Sequence, residues 1–296
     1  MFKNKIYILL LAASLLFAST TQSFAAENTK KIDPSDNAEA NKVILTQIAN
    51  GSDTLVSTDK ITPSPQWASG GSNHTHQYIV ARGLSVLLPN DGYTNIYDWF
   101  LGKDPNLDIM SYADWPDANE TDPVSGVNTM WGHFYWSGQT GTTASNRFSG
   151  WYTDAVNKAN GGDWTGSMQS LGKALHYAGD MSCPVHVMAA GYGAITPTNH
   201  TMFESYADTN RFNYMATSSG LESTFSSLTT SGISDNMANY ARGYYVDVSQ
   251  MAYDSQQTWL NWGVTDSLPR AQKNIAARGL ANISLNHTSS NFITST

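Results

Sequence analysis

The chain has 296 residues, a formal charge of −8 and one cysteine, Cys183. A single thiol excludes an intrachain disulfide scaffold. An acidic balance with no basic run argues against an electrostatic nucleic-acid binder.

The chain opens with Lys3 and Lys5, followed by the apolar run IYILLLAASLLFA and the small-residue pattern Ser23-Phe24-Ala25. That order predicts a secretory signal peptide over 1–26. The run is about a dozen residues, short of the roughly 20 that a membrane span needs, so a secreted, extracellular protein is expected. Residues 27–66 hold neither His nor Trp and are rich in Asn, Asp, Lys, Ser and Thr. This composition is poor in core-forming residues, although VILTQIA suits a short helix or strand. The segment reads as a pro-segment. All nine Trp and all seven His lie at or beyond Trp67, as does the whole acidic excess. The folded domain is therefore placed at 67–296, long enough for one well-buried core.

Within that domain the apolar spacing is helical. NHTHQYIVARGLSVLLP predicts a helix stopped by Pro89, and YTNIYDWFLG a second, shorter one. Residues 111–128 carry two prolines and several turn formers, and they read as a loop. SNRFSGWYTDAVNKAN predicts a helix. DWTGSMQSLGKALHYAGD predicts another, with Asp163 or Thr165 as its cap. MFESYADTNRF continues the series after a loop at 187–199. Two long helices, DNMANYARGYYVDVSQMAYDSQQTWLNW and SLPRAQKNIAARGLANISLNH, close the chain. No alternating strand pattern of useful length is present. The expected fold is all-α, a single compact domain of seven to ten helices.

The chemistry concentrates in ALHYAGDMSCPVH. Residues four apart share a helix face, so His176 and Asp180 are neighbours there. His200 and Glu204 repeat the spacing in the next helix. Two His–carboxylate pairs with His186 between them suit a metal held between helices, since imidazole nitrogen and carboxylate oxygen are zinc donors. Pro184 ends the first helix and turns the chain back toward it. His133, in the aromatic setting GHFYW, and His76, early in the first domain helix, complete the set. His74 and His287 read as surface residues. Cys183 reads first as a small buried residue, with a zinc thiolate as the alternative.

These segments resemble the zinc-dependent bacterial phospholipase C family, both its single-domain Bacillus-type enzymes and the catalytic domain of clostridial alpha-toxin. WASGGSNHTHQYIVARGLSVL is similar to that family's mature N-terminus, YADW to its loop aspartate, GHFYW to its next histidine, and NHTMFESYAD to its His-x-x-x-Glu helix. The resemblance implies three Zn2+. Trp67, His76 and Asp180 would hold one, with Trp67 binding through its free amine and carbonyl. Asp114, His133, His176 and Asp180 would hold the second, and His186, His200 and Glu204 the third. Removal of 27–66 by a maturation protease would then complete the site. Asp114 is assigned as ligand, as general base, or as both, with Asp117 a nearby competitor. The implied activity is hydrolysis of glycerophospholipids to diacylglycerol and a phosphorylated headgroup by a monomer acting at a membrane or micelle surface, with no nucleic acid as partner. Bound metals supply the positive charge for a phosphodiester and lower the pKa of bound water.

Headgroup recognition in choline-preferring relatives uses aromatics and a glutamate around the ammonium. Trp115 matches one aromatic position, Met130 falls near the second, Gly70 stands where the glutamate would be, and Trp131 is a substitute. The chain is expected to lack the C-terminal β-sandwich of the clostridial toxins. The alternatives are a secreted zinc-dependent single-strand nuclease of the related fungal and plant type, and a metal-stabilised binder without turnover.

Overall fold

The computed structural model describes residues 37–50, 69–70, 73–90, 92, 94–119, 130–136, 143–188, 197–216, 237–239, 241, 269 and 271–273. All belong to one unit, Ile32–Thr296. The proposed signal peptide and Trp67 lie outside the described residues, as does most of the two closing helices. Among the described residues no helix is long and apolar enough to cross a membrane.

Seven helices of eight residues or more are described: α1 Asn37–Asn50, α2 Thr75–Arg82, α3 Thr94–Lys103, α4 Asp108–Asn119, α5 Ala144–Asn160, α6 Trp164–Met181 and α7 Pro197–Asn210. Strand pairing among the described residues is limited to two-residue pieces. β1 Ser69–Gly70 runs antiparallel to β2 Asn73–His74, and β3 Tyr135–Trp136 runs parallel to β4 Val187–Met188. The fold is all-α.

The centre is α6. Its N-terminus is capped by Asp163, whose carboxylate accepts the Gly166 N–H at 2.9 Å. Every residue from Ala174 to Met181 is buried, so this stretch is enclosed all round, as expected of a central helix. It packs against α5 on one side and α4 on another. The approach to α4 is close: a Cβ at Gly172 would stand 2.5 Å from the Ile109 carbonyl oxygen and 3.0 Å from the Tyr112 Cβ. Glycine is required there for that reason.

Helix α2 continues beyond Arg82 through one widened turn, Gly83–Leu87, in which the Leu88 N–H donates to the Gly83 carbonyl. Pro89 sits inside the following short turn, Leu88–Asn90, rather than before it.

Part of the expected 111–128 loop is helical. Helix α4 runs to Asn119 with Pro116 inside it, and 120–129 lie outside the described residues. Two features account for the helix. The Asp104 carboxylate accepts the Asp108 N–H at 2.7 Å and the Ile109 N–H at 2.9 Å, closing the N-terminus. Ile109, Met110 and Ala113 are fully buried in the core. Pro116 removes only one backbone donor near the helix's end, so the cost of an interior proline is limited. Asp104→Ala is expected to lower stability by about 1 kcal/mol through loss of this cap, read as a shifted urea midpoint at constant slope.

Helix α1 belongs to the core although it lies in the expected pro-segment. Ile44 is 2% exposed within the main hydrophobic cluster, with Leu45 and Ile48 packed against it. Burying one such isoleucine contributes about 1.5–3 kcal/mol.

Candidate metal centre

Three groups of His and carboxylate side chains converge, each offering ligand atoms within 4.8 Å of one another: His76, His176 and Asp180; Asp117, His133 and His176; and His186, His200 and Glu204. All of these side chains are buried. Asp180 is the hub. Its Oδ1 lies 2.9 Å from His186 Nδ1 and 3.5 Å from His76 Nε2. Its Oδ2 lies 3.0 Å from His133 Nδ1 and 3.3 Å from His176 Nε2. The two oxygens thus face different sets of rings.

Local structure delivers each residue. His176 and Asp180 are one turn apart on α6, and His200 and Glu204 one turn apart on α7. α6 ends at Ser182, where the Cys183 N–H donates to the Asp180 carbonyl and the His186 N–H to the Cys183 carbonyl. This tight reversal, with Pro184 opening a 3-10 turn, brings His186 back onto Asp180. Cys183 is buried and forms no disulfide, and it is in none of the three groups. The parallel pairing of Tyr135 with Val187 brings Phe134 against His186. His76 stacks on His176 at 3.9 Å between ring centroids. Its Nδ1 would lie 2.9 Å from a Cβ at Gly179. Gly179→Ala is therefore expected to push the His76 ring off α6 and cost one bound metal equivalent, counted by elemental analysis. An unchanged count would mean that His76 is not a ligand.

Neighbouring groups hold the rings in place. His176 Nδ1 lies 2.7 Å from the Ala113 carbonyl oxygen. A carbonyl only accepts, so Nδ1 carries the proton and Nε2 faces Asp117, His133 and Asp180; outer hydrogen bonds orient metal-binding histidines in this way. Phe134 lies over both His186 and His200, at 5.2 and 5.8 Å between ring centroids. Asp208 ties α7 to α2, accepting from Thr75 Oγ1 at 2.7 Å and from Arg211 Nη1 at 3.0 Å.

The electrostatics are those of a cluster built around positive charge. Burial opposes ionisation of Asp117, yet the His176 beside it holds its carboxyl down at about 2. Asp180 is likewise pulled well below the usual carboxylate range, by His176 and His186 against the cost of burial. Burial pushes Glu204 up to about 7. Burial also lowers His76 to about 3, with His176 adding to the effect. Burial lowers His186, but Asp180 and Glu204 together outweigh it and raise the ring to about 10.

The donor set fits divalent metal ions. His186 Nε2 stands 2.9 Å from His200 Nε2, and His176 Nε2 stands 2.9 Å from His133 Nδ1. Ring nitrogens that converge so closely on carboxylate oxygens are what a shared cation satisfies. Asp180 Oδ1, His186 Nδ1 and Glu204 Oε2 are buried and make no hydrogen bond of good geometry.

Seven of the nine ligand positions drawn from the resemblance fall in these groups. Trp67 lies outside the described residues. Asp114 is fully buried on α4 and is in none of the three groups; Asp117, one turn further on, is in one of them, with Oδ1 3.3 Å from His176 Nε2 and 3.4 Å from His133 Nδ1. Trp115 is half-buried on α4. Its ring faces this chain's own Lys173 ammonium at 3.8 Å, with Trp151 and Tyr112 around the same ammonium at 4.1 and 5.4 Å. Met130 and Trp131 open the 3-10 turn that ends at His133. Sequence reasoning passed over Lys173, although it stands one turn before His176 on α6. It also passed over Phe134, whose only signal was its place next to His133.

Adjacent groups of buried imidazoles and carboxylates, held between helices, make this a candidate polynuclear metal centre in an all-α fold. Residues 75–260 match the family model described as zinc dependent phospholipase C, and the chain belongs to that family. Among curated proteins it is similar to a phospholipase C of Clostridium haemolyticum, 24% identical over 62% of this chain and 48% of the relative. A phospholipase C of Listeria monocytogenes is 31% identical over 34% of this chain and 37% of the relative. One of Paraclostridium bifermentans is 29% identical over 51% and 41%. The chain thus spans less than half the length of the curated relatives it matches. The fold is similar to that of Clostridium perfringens alpha-toxin, at a TM-score of 0.58 and 19% identity over 75% of this chain and 68% of that one. It is also similar to the alpha toxin from Clostridium absonum, at 0.60 and 19% over 73% and 67%.

Proposed function

We propose that this chain is a secreted zinc phosphodiesterase that hydrolyses glycerophospholipids to diacylglycerol and a phosphorylated headgroup. It acts as a monomer at a membrane or micelle surface, after a protease removes the segment preceding Trp67. The observation that carries this reading is the convergence of eight buried His and carboxylate side chains, Asp180 among them, within a chain of this family. We assign three zinc ions. His76 and Asp180 hold one with the freed Trp67 amine and carbonyl. His133, His176, Asp117 and Asp180 hold the second. His186, His200 and Glu204 hold the third.

When bound, the zinc cluster supplies positive charge to the phosphodiester and lowers the pKa of bound water to near neutrality. The residues of the chain do the rest. Asp180 turns one oxygen to each side and so fixes the spacing of the sites. His176, with its Nδ1 proton committed to the Ala113 carbonyl, presents Nε2 inward. Asp117 takes the ligand place that the resemblance gave to Asp114. Its carboxylate is ionised throughout the neutral range, so it is also the group suited to orient an attacking water. Lys173 between Trp115 and Trp151 leaves those faces already engaged by a cation, which favours headgroups other than choline.

The test uses protein starting at Trp67. Zinc is counted by elemental analysis while phosphatidylcholine, phosphatidylethanolamine and single-stranded DNA are assayed in parallel. About three zinc per chain with diacylglycerol release is the expected result. Zinc with DNA cleavage alone would transfer the chain to the nuclease reading.

A further inference from the structure

Helix α1 presents one face to the domain. Asn41, Ile44, Leu45 and Ile48 stand at i, i+3, i+4 and i+7, the spacing of a single helical stripe. Ile44 enters the core and Leu45 and Ile48 pack against it. Asn41 is fully buried, and both ends of its amide are engaged. Its Nδ2 donates to Ser111 Oγ at 2.7 Å and to the Leu107 carbonyl at 3.3 Å, while its Oδ1 accepts from Gln77 Nε2 at 3.0 Å. Gln77 is the neighbour of His76 on α2, and Ser111 lies on α4, the helix of Asp117. One side chain of the expected pro-segment therefore bridges the two helices that bring His76 and Asp117 to the centre.

A pro-segment that merely masked an N-terminus would need no such seat. Fourteen residues do not hold a helix alone in water, so the groove between α2 and α4 is what orders α1. Departure of the helix would leave the buried amide of Gln77 and the Ser111 hydroxyl without this partner, and unsatisfied buried polar groups are costly. It would also uncover the apolar surface now closed by Ile44.

We propose that α1 stays seated after the chain is cut before Trp67, as a non-covalent part of the mature protein. The occupant of the groove is this chain's own Asn37–Asn50. The proposal rests on the reading that maturation cuts before Trp67, so its test makes that cut artificially. Residues 63–66 are replaced by the recognition sequence of a protease that cleaves immediately after them. The full chain is purified with zinc, cut, and passed at about 10 μM, roughly a hundredfold below the mM effective concentration that an intact linker supplies, through size exclusion and native mass spectrometry.

The expected result is one released peptide per domain, travelling with it. Asn41→Ala with Ile44→Asp should free the peptide on cutting, and Ile44→Ala serves if that pair does not fold. Lys42→Ala, on the exposed side of α1, should leave it bound. Loss of the unsubstituted peptide from the cut protein overturns the proposal, as does its retention by the double variant. Separately, the intact mass of protein exported by its natural host reports whether the natural cut falls before Trp67. That reading can therefore fail while the seat of α1 stands.

Discussion

Asp117→Ala is expected to remove one zinc per chain and to lower phospholipid hydrolysis at least about 100-fold, equivalent to about 2.7 kcal/mol of transition-state stabilisation. Asp114→Asn should leave the zinc count unchanged. Both residues are buried on α4. Of the two, Asp117 belongs to a group of converging ligand atoms, with a carboxylate oxygen 3.3 Å from His176 Nε2 and 3.4 Å from His133 Nδ1. Without it, two buried imidazoles and a divalent ion lose a nearby negative charge, and Asp180 is left to balance them. Elemental analysis of the two purified variants decides the matter. Zinc lost from the Asp114 variant and kept by the Asp117 variant would return the ligand role to Asp114.

The second large effect concerns metal removal. Chelation should lower the melting temperature by about 8–16 °C. The estimate follows from about 4 kcal/mol gained when ligand stands at a thousand times its dissociation constant, and from about 2–4 °C per kcal/mol for a domain of this size. The cause is that ligation free energy adds to folding free energy, in a core that otherwise encloses converging imidazoles and carboxylates. The effect carries a pH signature. Ligation requires Glu204 as carboxylate and His186 as neutral imidazole. In the metal-free protein burial raises Glu204 to about 7, and Asp180 helps raise His186 to about 10. Both groups therefore hold protons that metal must displace, and more of them as pH falls. Zinc retained against a fixed chelator concentration should drop steeply between pH 8 and pH 6. Retention that is flat across this window would show that the His186, His200 and Glu204 group does not hold metal.

Much of the centre was legible because helical spacing is short-range geometry. His176 with Asp180, and His200 with Glu204, follow from one turn of helix. The Asp163 cap and the return of His186 after Pro184 follow from local backbone chemistry. What could not be read depended on contacts between segments. Asp114 and Asp117 are three residues apart on one helix; the packing of α4 on α6 at Gly172 sets how each of them faces His176. The stretch from Ser111 looked like loop because Pro116 and its neighbours are turn formers, while its stabilising cap, Asp104, lies outside that stretch. VILTQIA was legible as a short helix or strand, but its seat in the core was hidden by the polar composition around it: three apolar side chains suffice when the groove is supplied by α2 and α4. The β3–β4 pairing is two residues long, too short to leave an alternating pattern.

The placement of Asp180 has a consequence for how the centre fills. Its oxygens point to different rings, Oδ1 toward His76 and His186 and Oδ2 toward His133 and His176. A carboxylate shared in this way is oriented by whichever neighbour arrives first, and that orientation is already correct for the next. If several ions share Asp180 as proposed, loading would be cooperative rather than a sum of independent equilibria, and by the same linkage the first ion to leave would weaken the hold on those that remain. A trace of chelator would therefore divide the population into fully loaded and empty molecules, with few in between.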